Sequence, residues 1–222
     1  EITMENGEMI LIRYTGKQDG EVFDTTEEKK AKDSGLYQED RSYSPIPVLL
    51  GEEYVIEGLE EALQEMEVGE EKSIEVDSEK AYGSRDAENI ETYPEKEFKK
   101  QDVQVRVGEE LMIGNRRGKV VSKGSGRVRI DFNHPLSGKD LEYWVKVEEK
   151  IEDEEEIAER IFEYRLGHGD FEVEDGTAKI YSVHSHGDHR HELPKEALDE
   201  VSNEIKEYTD LEIEIIDEAK EE

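Results

Sequence analysis

The sequence predicts an α+β fold of mainly antiparallel strands and few helices, divided into three units. Three observations carry that expectation. Apolar residues alternate with polar ones over short runs between glycine-marked turns, the period of half-buried strands. Apolar residues at helical spacing form longer segments at only three places, opening near Leu59, Ile157 and Ala197. Charge is also spread unevenly. The chain of 222 residues has 61 acidic and 29 basic groups, a formal net charge of −32. Residues 151–222 hold 25 acidic and 7 basic groups, whereas 84–130 hold 8 acidic and 11 basic ones. The units are therefore read as 1–83 with 131–150, an insertion at 84–130, and 151–222.

Residues 8–15 alternate as a strand, with Ile10, Ile12 and Tyr14 on one face and Met9, Leu11 and Arg13 on the other. Gly16 and Gly20 bracket a turn before a second short strand at 21–24. Residues 26–44 are polar and read as a long loop with room for one helical turn. Pro45 and Pro47 hold the backbone extended ahead of 48–51. Leu59, Ala62, Leu63 and Met66 then recur at helical spacing, and Gly69 follows the helix. Ile74 and Val76 restore strand alternation.

After Ala81-Tyr82-Gly83 comes a small all-β stretch. It is built from Val103, Val105 and Val107, then Val120-Val121, then Val128 and Ile130, with Gly114 and Gly118 as turns. Leu141, Tyr143, Val145 and Val147 alternate as another strand. The acidic run 152–156 suits the first turn of a helix, whose positive dipole end favours carboxylates. Ile157, Ala158, Ile161 and Phe162 form its stripe, and Gly167 ends it. Strands follow at 171–173 and 177–183. Pro194 opens a helix as its first residue, carrying Ala197, Val201, Ile205 and Tyr208. Leu211, Ile213 and Ile215 alternate as a final strand. This α-β-β-α-β unit is expected to fold separately and to form a homodimer through its open edge strand.

Composition narrows the function classes. Hydrophobic residues make up 33% and charged residues 41%, with a mean hydropathy of −0.91. No window approaches the ~18–20 apolar residues of a membrane span. The first apolar run, Met9 to Ile12, is too short for a secretory signal. The absence of cysteine removes disulfides and thiolate metal sites and suits a reducing compartment. A soluble, cytoplasmic protein without membrane contact is expected. The negative charge repels nucleic acid overall, and salt would relieve the chain's self-repulsion.

Six blocks then occur in a telling order. Ile12-Arg13-Tyr14-Thr15-Gly16, Val22-Phe23-Asp24, Val55-Ile56-Glu57-Gly58-Leu59-Glu60-Glu61-Ala62 and Ala81-Tyr82-Gly83 resemble the signature blocks of FKBP-type prolyl isomerases. Tyr93-Pro94-Glu95-Lys96-Glu97-Phe98 and the run from Phe132-Asn133-His134-Pro135 to Leu141 resemble its SlyD-like branch. That branch carries an insert-in-flap domain after the Ala-Tyr-Gly block, where this chain turns basic and β-rich. The resemblance implies an antiparallel half-barrel sheet wrapped on one short helix, spanning 1–83 and 131–150. Residues 84–130 would be an insert-in-flap chaperone domain, and 151–222 look like the additional domain of long archaeal members.

The resemblance also implies a pocket lined by Tyr14, Phe23, Val55, Ile56, Leu59 and Tyr143, with Asp24 as a polar wall partner. The Ile56 N–H and the Tyr82 hydroxyl would hold substrate carbonyls. Many relatives have tryptophan where Leu59 stands, which argues against tight macrolide binding more than against isomerase activity. Trp144 does not replace it, because strand alternation turns it away from the face of Tyr143. No cofactor is required. Isomerisation of an Xaa-Pro bond is slow because rotation breaks amide resonance, with a barrier of ~18–20 kcal/mol. A dry apolar pocket favours the twisted, less charge-separated form, so catalysis would be differential binding. Taken without their order, the same side chains read first as barrel core, and Asp24 as a turn residue.

Two further features point elsewhere. His184, His186, His189 and His191 lie within eight residues and could supply imidazoles to nickel or zinc. The plainer reading is a polar loop, and His168 reads as a helix-end residue. Arg106, Arg116, Arg117, Lys119, Lys123, Arg127 and Arg129 make the insert basic, but aromatics for base stacking are nearly absent, so nucleic acid is not the expected partner. Val103, Val105, Val107, Leu111, Met112 and Ile113 are too few for much core and are expected to offer a surface to unfolded or nascent polypeptides. The expected function is a prolyl isomerase and folding chaperone. The alternatives are a holdase-type chaperone or a metal-handling protein on an isomerase scaffold.

Overall fold

The computed structural model describes residues 4–186 and 189–220, and of residues 185, 186, 189 and 190 only the backbone. Its strands form three sheets. The first part of the chain supplies β1 (Met9–Gln18), β2 (Glu21–Thr25), α1 (Glu28–Asp33), β3 (Ile46–Leu49), α2 (Glu57–Gln64) and β4 (Glu71–Val76). The middle supplies β5 (Ile90–Pro94), α3 (Glu95–Lys100), β6 (Glu110–Ile113), β7 (Arg116–Gly124), β8 (Arg127–Asp131) and β9 (Leu141–Ile151). The last part contains α4 (Glu154–Leu166), β10 (Asp170–Glu174), β11 (Thr177–His186), β12 (His189–Glu192), α5 (Lys195–Tyr208) and β13 (Glu212–Ala219).

In the first sheet β1 pairs antiparallel with β2, β3 and β9, and β4 completes the sheet on the far side of β9. Helix α2 buries Leu59, Ala62 and Leu63. Its close seat on the sheet depends on Gly58, since a Cβ there would stand 2.5 Å from Val76 Cγ1. Tyr143, Val145 and Val147 of β9 turn into the core. Trp144 faces outward under the Lys30 ammonium, 4.3 Å from its ring centroid.

The second sheet has the order β5-β8-β7-β6 and a small core of Phe98, Val105, Val120, Val128 and Ile130. It departs from the all-β expectation in two ways. Residues 103–107 form no strand: Val105 is buried, while Val103 and Val107 are exposed. The stretch lies between a left-handed Asp102 (φ 55°) and Gly108 (φ 93°), which break extended pairing at both ends. A six-residue helix, α3, is also present. Pro94 ends β5, and Glu95 and Glu97 with Lys99 and Lys100 match the two ends of the helix dipole.

The third sheet is centred on β11, with β10 and β12 antiparallel to it and β13 parallel. The expected α-β-β-α-β order gains a strand, because the histidine segment forms the hairpin β11–β12 rather than a loop. Helix α4 starts where Asp153 caps it, accepting the Glu156 N–H at 2.9 Å, and ends at the left-handed Gly167. Pro194 is the residue before α5 rather than its first, and its carbonyl accepts the Leu198 N–H.

The last part of the chain does not have a separate core. Ala158, Ile161 and Phe162 of α4 and Leu198, Val201 and Ile205 of α5 belong to one buried cluster with Met9, Ile10, Leu50, Tyr54, Leu63 and Met66. The acidic run 152–156 marks a boundary in the sequence. The apolar faces on either side of it nevertheless meet, because β9 runs directly into α4 through Ile151, itself buried.

Candidate functional site

Strands β1, β2 and β9 bring Tyr14, Phe23, Asp24 and Tyr143 together. The Tyr143 ring meets Phe23 edge-on at 5.9 Å and Tyr14 tilted at 6.2 Å between centroids. Gly16 makes this possible, since a Cβ there would stand 2.5 Å from Phe23 Cζ and 3.0 Å from Tyr143 Cε1. The Tyr14 hydroxyl donates to Asp24 Oδ2 at 2.5 Å. Asp24 Oδ1 accepts the Thr25 N–H at 2.9 Å and pairs with Arg41 at 2.8 Å. Asp24 is therefore a fixed carboxylate with both oxygens engaged.

Burial, with the Asp24 carboxylate beside it, pushes the Tyr14 phenol well above the usual tyrosine range. Burial, followed by the charges of Tyr82, Tyr14 and Asp24, does the same to Tyr143. Both phenols stay neutral at any physiological pH. The wall they form is apolar, with one anchored carboxylate at its edge.

The segment before α2 carries the next residues. Leu59 is buried, and Val55 and Ile56 pack half-buried on the same core. Ile56 precedes α2, and its carbonyl accepts the N–H groups of Leu59 and Glu60, both at 3.0 Å. Its own N–H makes no hydrogen bond among the described residues. Tyr82 is at the rim and lies flat on His134, with ring centroids 4.0 Å apart and planes 3° from parallel. Ser137 Oγ donates to the Tyr82 carbonyl at 3.2 Å, and the Gly138 N–H donates to the Gly83 carbonyl at 2.7 Å. The block around Asn133 thus folds onto the Tyr82 turn.

Three residues of this site are missed by sequence reasoning. Arg41 lies in the polar stretch 26–44, where nothing distinguishes it from its neighbours. His134 stands in a quoted block but has no obvious chemistry until its stacking partner is known. Tyr54, just before Val55, is nine-tenths buried against the last part of the chain.

On the second sheet, Val103, Leu111, Met112 and Ile113 line one groove of about 200 Å³ together with Tyr93 and Phe98. Val107 and Met112 are 61% and 59% exposed. Val105 is the exception among the expected surface residues, because it fills the small core beneath. The aromatic floor of the groove comes from the Tyr93 to Phe98 block, which the sequence offers as a motif but not as a groove.

The histidine segment is only partly described. The side chains of His186 and His189 lie outside the described residues. His184 and His191 are register partners across β11–β12, and His184 Nδ1 is 3.1 Å from Asp170 Oδ2. The His168 ring approaches both, at 6.3 Å from His184 and 5.5 Å from His191. Among the described residues no three such side chains are placed to hold one metal ion. Also among them, no helix is long and apolar enough to cross a membrane.

Comparison with known proteins matches residues 1–105 to the family described as FKBP-type peptidyl-prolyl cis-trans isomerase. Residues 92–136 match a family described as FKBP26, IF domain. A short-type peptidyl-prolyl cis-trans isomerase of Methanocaldococcus jannaschii is 36% identical over 144 residues, covering 65% of this chain and 92% of that protein. The FKBP-type isomerase SlyD of Aeromonas hydrophila is 28% identical over 146 residues, 64% of this chain and 61% of its own length. A probable FKBP-type 16 kDa isomerase of Pseudomonas fluorescens is 26% identical over 149 residues, 64% of this chain and 88% of that protein.

Proposed function

The chain belongs to the FKBP-type peptidyl-prolyl cis-trans isomerases, and on that premise we propose that it twists Xaa-Pro bonds of unfolded or nascent chains while its insert holds the client. Residues 1–83 and 131–150 act as the isomerase domain in this reading, and 84–130 as the client-holding insert-in-flap domain. The observation that carries it is the wall of Tyr14, Phe23 and Tyr143 closed by the anchored Asp24. A prolyl amide entering that space loses water. Its twisted form, with less charge separation than the planar amide, is disfavoured least. No group there is set to donate or abstract a proton, which suits a reaction that breaks no covalent bond.

The Ile56 N–H, with no partner among the described residues, can donate to a client carbonyl, and the Tyr82 hydroxyl at the rim can donate to a second. These two contacts would align the chain on either side of the proline. The exposed Met112, Val103 and Val107 support the holding role, since methionine adapts to varied apolar side chains. The test is turnover of a short proline peptide. Phe23→Ala, Asp24→Ala and Tyr82→Phe should each lower turnover by about tenfold, the effect of losing roughly one good contact, with far-UV circular dichroism unchanged. Full activity in all three variants would overturn the assignment of the pocket.

A further inference from the structure

The turn that leads into Val55 and Ile56 is gripped from the other side by helix α5. The Tyr208 hydroxyl donates to Glu52 Oε1 at 2.5 Å. The Tyr54 hydroxyl donates to Glu204 Oε1 at 3.1 Å. Between these two held residues, Glu53 has φ 55°, a left-handed conformation that non-glycine residues adopt only under constraint. Glu204 is itself fixed by Arg165 of α4, with Nε 2.5 Å from Oε2 and Nη2 3.0 Å from Oε1. The Tyr54 ring stacks on Tyr164 at 3.7 Å, and the Arg165 guanidinium stands over both rings. Tyr54 and Glu204 are each only 8% exposed, so the bond between them is shielded from solvent.

We propose that α4 and α5 position the isomerase pocket: Tyr208 and Glu204 clamp Glu52 and Tyr54, hold the strained turn at Glu53, and so fix where the Ile56 N–H points. Neither matched family extends past residue 136. The clamp is therefore supplied by chain outside both, and Glu204, Arg165 and Tyr208 are positioning residues that touch no client. From the other side the Gly51 N–H donates to Glu60 Oε1 at 2.8 Å, and the Leu50 carbonyl accepts the Gly7 N–H at 2.7 Å. The clamp explains why residues 52–54 can be both strained and ordered next to a binding donor. It also gives the last part of the chain a way to set client affinity, since any ligand that moved α5 would move the turn.

This inference rests on the assignment of Ile56 to the pocket, and the experiment separates the two. In the full chain, Tyr54→Phe with Tyr208→Phe removes both hydroxyl links and keeps the rings. Amide exchange at Leu59 and Glu60, which donate to the Ile56 carbonyl, reports on the turn without any substrate. Steady-state kinetics on a proline tetrapeptide reports on the pocket. The expected result is faster exchange at both amides and a KM raised about fivefold with kcat within about twofold, the pattern of a lost uniform binding contact. A fall in folded fraction alone would lower apparent kcat and leave KM unchanged, so that result overturns the proposal. Unchanged exchange overturns it as well. Faster exchange with both constants unchanged would show that the turn loosens without serving the pocket. An inactive parent chain would instead overturn the isomerase reading, and this inference with it.

Discussion

At the scale of single residues, the proposed site holds its side chains in place and offers no free reactive group among them. Asp24 is anchored three times, by Tyr14, Thr25 and Arg41, and both buried phenols are held neutral. Tyr82 is the most exposed member, at the rim, with its ring stacked on His134 and its hydroxyl beside that of Tyr143. Removing that stacking should loosen its rotamer. His134→Ala is therefore expected to lower tetrapeptide turnover by roughly three- to tenfold, the scale of a single aromatic contact. His134→Phe, which keeps a flat ring beneath Tyr82, should retain most of the activity. Equal losses in the two variants would mean that the imidazole acts through its hydrogen bond from the Leu136 N–H at 3.1 Å rather than through stacking.

At the scale of elements, close approaches set the geometry. Strand β1 can present Tyr14 to Asp24 because Gly16 lets Phe23 and Tyr143 cross directly over its backbone. Both obstructing atoms belong to ring side chains packed in the wall. Gly16→Ala is thus expected to displace the wall and to cost about 1–3 kcal/mol, the usual effect of overpacking. Chemical denaturation would read the stability loss, and turnover should fall alongside it. Helix ends behave more simply. Asp153 caps α4 through one side-chain bond to the Glu156 N–H, so Asp153→Ala should cost about 1 kcal/mol and leave the pocket untouched.

At the scale of the whole molecule, the three sheets differ in how much they depend on each other. The second sheet has its own small core, and the pocket residues all lie outside 84–130. Replacing that stretch with a short loop should preserve tetrapeptide turnover, while catalysed refolding of a whole protein should fall much further as local client concentration is lost. Equal losses in both assays would mean that the insert shapes the pocket itself. The last part of the chain is different because its helices share the core of the first sheet. A fragment ending at 150 would strip Tyr54 of Tyr164 and Glu204 and remove the α4 and α5 side chains from the shared core, at about 1.5–3 kcal/mol for each apolar side chain left exposed. Thermal unfolding of that fragment should therefore show a strongly lowered midpoint, and retention of the full-length midpoint would contradict a shared core.

Many strand and helix positions, and the family itself, are legible in the residues. They depend on local periodicity, on capping and turn chemistry, and on short blocks in a fixed order, which a sequence displays directly. The outward face of Trp144 follows from alternation alone. What the residues do not display is which distant faces meet. The stacking of Tyr82 on His134 joins positions 52 residues apart in the chain, and the Tyr54–Glu204 bond joins positions 150 apart. No local period encodes either contact. Arg41 and Tyr54 look like ordinary loop residues until packing gives them partners, and nothing local to the acidic run 152–156 shows that the apolar faces beyond it close on the first sheet. Strand 103–107 fails for a related reason: alternation alone cannot reveal the left-handed backbone at Asp102 and Gly108 that breaks it. Local pattern and block order therefore determined many of the elements and the family, whereas the pairing of buried surfaces, which depends on burial energy summed over the whole chain, decided how the last part of the chain packs on the first.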